Sequence, residues 1–191
     1  MALTALFGGT FDPVHNGHLA IAQEAAARFE LDRVLFVPAA NPPHKLHGAV
    51  ASYEDRVRMA ELACAGHPRF EVSRIEAGTA RSYSIDTIER LRAAGVGPLA
   101  FLIGADAFAE IQTWHRWRDV VAAVEFIVVT RPGAAYQTPE GARVHPLEGL
   151  ELPVSSSEVR ARIAQGDSDV PVPEPVIRYI REHGLYQSRT P

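Results

Sequence analysis

The stretch GGTFDPVHNGH, residues 8–18, follows a short apolar run at residues 5–7 and precedes a helical pattern of apolar residues. It is therefore predicted to form the loop between a buried strand and a helix. Open α/β sheets bind nucleotides at such loops, outside the carboxyl ends of the strands. The stretch predicts both an α/β fold and a nucleotide site.

Several residues of this loop suit a phosphate ligand. Gly8 and Gly9 lack Cβ atoms, so backbone N–H groups can approach a phosphate and the chain can adopt φ > 0 if the turn requires it. His15 and His18 lie three residues apart at the helix start, which places two imidazoles on one face with Gly17 between them. A helix start also has unpaired N–H groups and a positive dipole end, which suit triphosphate oxygens.

The histidine pair also has two ordinary explanations, helix capping and half of a zinc site. A zinc site needs three or four ligands, and the chain contains one cysteine, Cys64. That cysteine lies in an apolar helical pattern typical of a packed thiol. The sequence therefore assigns no protein ligand to a metal.

Length and charge narrow the class of protein. A chain of 191 residues with 47% hydrophobic residues is expected to form a single domain over residues 1–191. A formal net charge of −4 argues against bulk binding of nucleic acid. The N-terminal residues predict neither a signal peptide nor a membrane span, and a lone cysteine favours the cytoplasm. The oligomeric state stays open, a homo-oligomer included.

Apolar runs alternate with helical patterns along the chain. Strands are predicted at residues 5–7, 34–37, 70–73, 99–103 and 126–130; helices are predicted at 17–29, 53–64, 84–94, 155–164 and 173–183, with a pair over 106–121 broken near Trp114. This order predicts a single Rossmann-like, doubly wound parallel sheet with helices on both faces and a C-terminal helical segment. After residue 133 the pattern is irregular and predicts no further strand.

A second candidate phosphate site opens the helix at residues 155–164. Ser155 and Ser156 bring hydroxyls to its N-terminus, and Arg160 lies about one turn further on. The ordinary explanation is a capping box, in which a serine and a glutamate three residues later satisfy the helix start. Taken alone, the serines favour that explanation.

The third candidate segment is PAANPPHK, residues 38–45, which follows the second predicted strand. Its three prolines stiffen the loop, so His44 and Lys45 would face the same crevice as the histidine pair. A solvated, proline-rich surface loop is the alternative.

The loop at residues 8–18 resembles the GGTFDPxHxGH signature of the HxGH-type nucleotidyltransferase superfamily, and within it the bacterial nicotinate-nucleotide adenylyltransferases. The string VSSSEVR at residues 154–160 is similar to the superfamily's ISSTxIR signature, with Val154 for Ile and Ser157 for Thr. The segment at residues 38–45 resembles a PPHK-like segment of the same family.

Segments in the middle of the chain resemble those of the bacterial nicotinate-nucleotide adenylyltransferases. SYSIDT at residues 82–87 resembles their SYTxDT segment, and IGAD at 103–106 with TWH at 113–115 resembles their IGxD and TWxx segments. The resemblance implies that an aspartate meets the adenosine side and that Trp114 stacks on a pyridine ring. Trp114 is otherwise one more packed aromatic, as we expect for Trp117. His115 departs from the aromatic residue common at its position.

The resemblance implies adenylyl transfer from ATP to nicotinate mononucleotide in NAD biosynthesis, with Mg²⁺ bound together with ATP. The residues expected to act in catalysis are His15, His18, Lys45 and Arg160. Those expected to bind ATP are Gly8, Gly9, Thr10, Phe11, His15, His18, Gly104, Asp106, Ser155, Ser156 and Arg160. Those expected to bind the mononucleotide are Asn41, His44, Lys45, Ser84, Trp114 and His115. Backbone N–H groups near Ser84 and His115 would meet the nicotinate carboxylate.

Three other functions compete with this one. A related enzyme could act on nicotinamide mononucleotide or phosphopantetheine, and Trp114 with the segment around Ser84 argues against the latter. A nucleotide-sensing module without activity would have no need of both histidines, Lys45 and Arg160. A class I aminoacyl-tRNA synthetase shares the loop, but this chain is too short for anticodon recognition and lacks the lysine-rich closing motif.

Overall fold

The computed structural model describes residues 3–41, 49–130, 136–149 and 154–187. Its strands are β1 (Thr4–Gly9), β2 (Arg33–Pro38), β3 (Phe70–Val72), β4 (Leu99–Gly104), β5 (Glu125–Val129) and β6 (Val144–Leu147). Its helices are α1 (Asn16–Arg28), α2 (Tyr53–Cys64), α3 (Ser84–Ala93), α4 (Ala105–Ala109), α5 (Trp117–Ala123), α6 (Ser156–Ala164) and α7 (Glu174–Glu182). A 3₁₀ turn at Ile111–Thr113 separates α4 from α5. None of the helices described has the length and apolar character that a membrane crossing requires.

The strands form one parallel sheet in the order β3-β2-β1-β4-β5-β6. The chain winds from β1 to one edge through β3, then returns to pair β4 on the other side of β1. A reversal of strand order opens a crevice at the carboxyl ends of the two central strands, where ligands bind in such sheets. The predicted doubly wound sheet is confirmed, and the loop that follows β1 lies at this reversal.

Alternating side chains of the strands build a core on each face of the sheet. In β1, Ala5 and Phe7 pack in one cluster with apolar residues of α1, α2, α6 and α7. Leu6, between them, packs in the other cluster with residues of α3, α4 and α5. Because both faces are covered, the central strands are apolar throughout, which is typical of parallel sheets.

The sixth strand is the main departure from the prediction. β6 joins the sheet at its edge, parallel to β5. Its four residues include Pro146, and both His145 and Pro146 are exposed. Proline is confined to such edge positions because it cannot donate to the hydrogen-bond ladder. A short, half-exposed strand leaves no apolar run in the sequence.

Arg56 is a fully buried cation in the face of α2 that contacts the core. Its side chain is 1% exposed, and its guanidinium donates to the carbonyl of Thr10 at 2.7 Å and to that of Ala51 at 3.4 Å. Burial lowers its pKa, a cost that nearby Asp12 partly offsets. Arg56 therefore fastens the loop after β1 to α2.

Arg56→Ala should lower the free energy of unfolding by about 3 kcal/mol, because it leaves two carbonyls without a donor and opens a cavity. Arg58→Ala is the matched control, since Arg58 lies on the same helix and forms only a partly exposed pair with Glu61. The control should change stability by less than about 1 kcal/mol. Urea denaturation of both variants measures the difference, and equal losses would show that the buried contacts do not fasten the loop.

Candidate active site

A cleft of about 630 Å³ opens at the carboxyl ends of β1, β2 and β4. Residues of the loop after β1, of the start of α3 and of the segment between α4 and α5 form its walls. Of the residues predicted to bind ligands, those that line it are Gly8, Gly9, Thr10, Ser84, Gly104, Trp114 and His115. The structure thus brings four separate predicted segments to one cleft.

The backbone of the loop turns at Phe11 and not at the glycines. Phe11 has φ of 49°, whereas neither Gly8 nor Gly9 adopts positive φ, so the turn does not require that conformation at the glycines. A Cβ on Gly9 would lie 3.0 Å from the ring of Phe11. Glycine at position 9 therefore leaves room for the ring of Phe11. Phe11 is 2% exposed and packs its ring against Phe7 and Phe36, so its predicted contact with ATP stays a prediction.

A buried carboxylate holds the loop to distant parts of the chain. Asp12 is 1% exposed and accepts hydrogen bonds from the backbone N–H groups of Val50 and Ala51, at 2.7 and 3.1 Å. The hydroxyl of Tyr186, near the end of the chain, donates to the same carboxylate at 2.7 Å. The carboxylate is therefore fully engaged in structural contacts.

The two histidines at the start of α1 stack on each other. Their ring centroids are 3.7 Å apart, with 27° between the planes. A Cβ on Gly17 would lie 3.0 Å from Nδ1 of His15, so glycine at this position leaves the stack its space. The ring of His18 also lies 6.0 Å from that of Phe7, whose side chain lines the cleft. The predicted pair is brought together beside the cleft.

Both imidazoles are neutral near pH 7. Burial lowers the pKa of His15 from 6.5 to about 4, and it lowers the pKa of His18 well below 6.5, with a further lowering from the charge of His15. The backbone N–H of His15 donates to Nδ1 of His18 at 3.2 Å. Since Nδ1 accepts, the proton of neutral His18 is on Nε2. His18 is therefore a hydrogen-bond donor without being a cation.

The start of α6 lies against the same loop. Ser155 forms a capping box with Glu158, in which each side chain bonds to the backbone N–H of the other. Ser156 donates its hydroxyl to the carbonyl of Pro13 at 2.9 Å, and Arg160 donates to the carbonyl of Asp12 at 2.7 Å. The ordinary explanation of Ser155 is thus correct, and Ser156 and Arg160 hold α6 against the loop. Their contact with ATP phosphates stays a prediction.

Part of the cleft lining is aromatic, and Tyr83, Trp114 and His115 together form what we call the aromatic wall. Trp114 is half-buried, with its ring edge-on to Phe101, and Trp117 packs in the core away from the cleft, as expected. His115 lies against Tyr83, with ring centroids 4.4 Å apart. Tyr83 directly precedes α3. The first N–H groups of α3, which have no partner within the helix, therefore lie beside this aromatic wall.

Four other predicted residues do not line the cleft or lie outside the described part of the chain. Asp106 is exposed in the first turn of α4, beside the cleft-lining Gly104. Asn41 donates its side-chain amide to the carbonyl of Thr79, which makes its role structural in part. His44 and Lys45 lie outside the described residues.

Sequence reasoning missed Glu76, which is 6% exposed and lines the cleft. Its carboxylate accepts from the hydroxyl of Thr87 at 2.6 Å and from the backbone N–H of Ala40 at 3.1 Å. The one available signal was its place four residues after β3, near the carboxyl edge of the sheet. Arg160 and the loop, by contrast, were found because each lies in a contiguous motif.

Comparison with known proteins places the chain. The cytidylyltransferase-like family model matches residues 6–162. A protein of Solibacter usitatus, named as a probable nicotinate-nucleotide adenylyltransferase, is 60% identical over 184 residues, covering 95% of this chain and 98% of the relative. A relative of the same name from Frankia alni is 44% identical and covers 95% of this chain and 99% of its own. The chain belongs to the nicotinate-nucleotide adenylyltransferase family.

A solved structure shares the fold across nearly the whole chain. It is the Plasmodium falciparum nicotinic acid mononucleotide adenylyltransferase complexed with NaAD, with a TM-score of 0.81 and 16% sequence identity, covering 97% of this chain and 98% of that one. Membership in the nicotinate-nucleotide adenylyltransferase family confirms the resemblance drawn from the motifs. It also makes this chain a nucleotidyltransferase.

The neutral state of His15 predicts how stability depends on pH. Because its pKa falls from 6.5 to about 4 on folding, the unfolded chain binds more protons between these pH values. The free energy of unfolding should therefore fall as pH is lowered through this window, with roughly 1–3 kcal/mol of the fall due to His15. His15→Gln should remove that share, as measured by urea denaturation at a series of pH values. Identical pH dependence in both proteins would contradict a buried, neutral His15.

Proposed function

We propose that this protein transfers the adenylyl group of ATP to nicotinate mononucleotide, forming nicotinate adenine dinucleotide and releasing pyrophosphate in NAD biosynthesis. One observation carries the proposal: a single cleft is lined both by Gly8, Gly9 and Thr10 of the loop after β1 and by Tyr83, Trp114 and His115 beside the start of α3. The first set of residues suits a triphosphate, and the second suits an anionic, heteroaromatic mononucleotide. The names of the relatives support the same reaction.

The loop after β1 and the starts of α1 and α6 are proposed to hold the ATP phosphates. The two helix starts are adjacent, since a Cβ on Gly17 would lie 3.8 Å from Cβ of Val154. Helix starts present unpaired N–H groups and a positive dipole end. Both favour phosphate oxygens, and a neutral His18 adds a donor at Nε2. Arg160 adds positive charge beside the same loop.

The aromatic wall and α3 are proposed to hold the mononucleotide. The indole of Trp114 offers a flat face for the pyridine ring. The unpaired N–H groups near Ser84, together with backbone N–H groups beside His115, would donate hydrogen bonds to the nicotinate carboxylate. Roles for Asn41, His44 and Lys45 on the mononucleotide rest on the family motif.

No general base is needed for the transfer. The phosphate of the mononucleotide has a second pKa of about 6 and is largely dianionic at neutral pH. One of its oxygens attacks the α-phosphorus of ATP in line, and the bond from that phosphorus to the bridging oxygen breaks, so pyrophosphate leaves with the electron pair. The barrier is the repulsion between anions and the charge that builds on the bridging oxygen. Positioning and donors such as His18 Nε2–H lower that barrier.

Mg²⁺ is proposed to enter bound to ATP. The described residues include no group of three or more His, Cys, Asp or Glu side chains that could hold a metal ion. The carboxylate of Asp12, the acidic group of the loop, is already occupied by backbone and hydroxyl donors. These residues fit no protein cage, whereas Mg²⁺ often keeps its waters and binds through substrate phosphates.

Three broader properties belong to the same proposal. The chain is proposed to form one catalytic domain over residues 1–191, because the loops and helices that form the cleft walls are all joined to one sheet. A free, buried thiol at Cys64 suits the reducing cytoplasm. ATP and the mononucleotide are its partners; nucleic acid is not, and a homo-oligomer is compatible with the cleft.

Pyrophosphate release with magnesium and ATP tests the function. We expect release with nicotinate mononucleotide at a rate far above that with nicotinamide mononucleotide or phosphopantetheine. His18→Ala should lower kcat by about 100-fold or more, the usual effect of losing a donor to developing charge. Faster turnover of another acceptor would reassign the substrate, and release with none of the three would refute the enzyme.

The aromatic wall provides a matched pair of variants. Trp114→Ala should raise KM for nicotinate mononucleotide about tenfold while KM for ATP stays within twofold, because only the mononucleotide loses its stacking surface. Trp117→Ala removes an indole three residues away that packs outside the cleft. It should lower the melting temperature and leave both KM values near those of the wild type. Equal changes of both KM values in Trp114→Ala would make that residue structural.

A further inference from the structure

Glu76 is a buried carboxylate that the proposed mechanism does not use. It is 6% exposed, and its two hydrogen bonds come from neutral donors, the hydroxyl of Thr87 and the backbone N–H of Ala40. Among the residues that the structure describes, no Arg, Lys or His forms an ion pair with it. The buried guanidinium of Arg56 interacts with Glu76 through charge, at longer range than an ion pair. A buried carboxylate without a direct ion pair costs free energy, and such groups concentrate at functional sites.

The position of Glu76 in the cleft indicates which group of a ligand could pair with its carboxylate. Within the described part of the chain, it is the sole carboxylate in the lining, which otherwise consists of glycine, apolar, aromatic and hydroxyl-bearing residues and His115. The lining also includes Tyr83, Ser84 and Trp114, the part of the cleft assigned to the mononucleotide. A cationic group of a ligand in the cleft would meet a carboxylate that is itself buried, where charge interactions are stronger than in water.

A pyridine mononucleotide carries such a group. Its ring nitrogen is bonded to the ribose, so the ring holds a positive charge at every pH, whereas ATP offers no cation. We propose that Glu76 determines specificity by recognising the cationic pyridinium ring of the mononucleotide through charge. This inference rests on the proposed function. The site then favours mononucleotides with an oxidised, cationic ring over those with a neutral ring.

A structural role of Glu76 can be separated from this one. Its carboxylate links the end of β2, through Ala40, to α3, through Thr87. The hydroxyl of Thr87 also lies 3.3 Å from the carbonyl of Tyr83, to which it can donate instead. In Glu76→Gln, the amide oxygen can accept from Ala40 while the amide nitrogen donates to Thr87, whose own hydrogen turns to Tyr83. The substitution therefore preserves the link and removes the charge.

The experiment compares two forms of one substrate. Steady-state kinetics at saturating magnesium and ATP would use nicotinate mononucleotide and its 1,4-dihydropyridine form, whose ring is neutral. Glu76→Gln should lower kcat/KM for the oxidised form by about five- to tenfold, mainly through KM, as expected for a lost charge pair. It should leave the reduced form within twofold and KM for ATP unchanged.

Thr87→Val is the matched control, because it breaks the link to α3 and keeps the charge. It should lower kcat/KM for the two forms by the same factor. Equal losses for both forms in Glu76→Gln, or no loss for either, would overturn the proposal and leave Glu76 a structural residue.

Binding and turnover by the wild-type protein provide two further tests. If Glu76→Gln does not fold, calorimetry on the wild-type protein replaces it: at least fivefold tighter binding of the oxidised form supports the role of Glu76, and equal affinities overturn it. Wild-type protein that turns over nicotinate mononucleotide while Glu76→Gln shows equal losses refutes this inference alone. Wild-type protein that neither binds nor turns over the mononucleotide refutes the proposed function as well.

Discussion

The buried carboxylate of Asp12 is the contact on which the arrangement of the active site depends. It joins the loop after β1 to the segment before α2, through Val50 and Ala51, and to the end of the chain, through Tyr186. Arg160 of α6 adds a bond to the carbonyl of the same residue. Because the Asp12 carboxylate is 1% exposed, the hydrogen bonds that it accepts are stronger than they would be in water. The positions of the histidines and of α6 follow from this junction.

The cleft brings together two chemically different sets of lining residues. Around the loop, helix starts and a neutral His18 offer donors to anions without placing many fixed charges there. Around Trp114, a flat aromatic face, the start of α3 and the carboxylate of Glu76 suit a ring that is cationic and bears a carboxylate. The reversal of strand order between β1 and β4 brings these two sets together, since the walls come from both halves of the sheet.

The fold was predictable where burial produces a local pattern. The predicted bounds of α2, residues 53–64, match the structure because its apolar face repeats with helical spacing. β6 was not predictable, since an edge strand with Pro146 has no such pattern. In the site, contiguous motifs revealed His15, His18 and Trp114. Arg56 and Glu76 escaped because their partners, among them Thr10 and Ala40, lie 46 and 36 residues away along the chain. The left-handed Phe11 escaped because its cause is tertiary packing of the ring.

The tautomer of His18 tests most directly whether the loop acts through neutral donors. Nitrogen NMR of protein labelled at histidine distinguishes a protonated Nε2 from a protonated Nδ1 and from the imidazolium ion. At pH 7 the free protein should show His18 neutral with its proton on Nε2, and a non-hydrolysable ATP analogue with magnesium should shift that Nε2–H signal. An imidazolium or an Nδ1–H tautomer in the free protein, or an Nε2–H signal that the analogue leaves unchanged, would contradict the account.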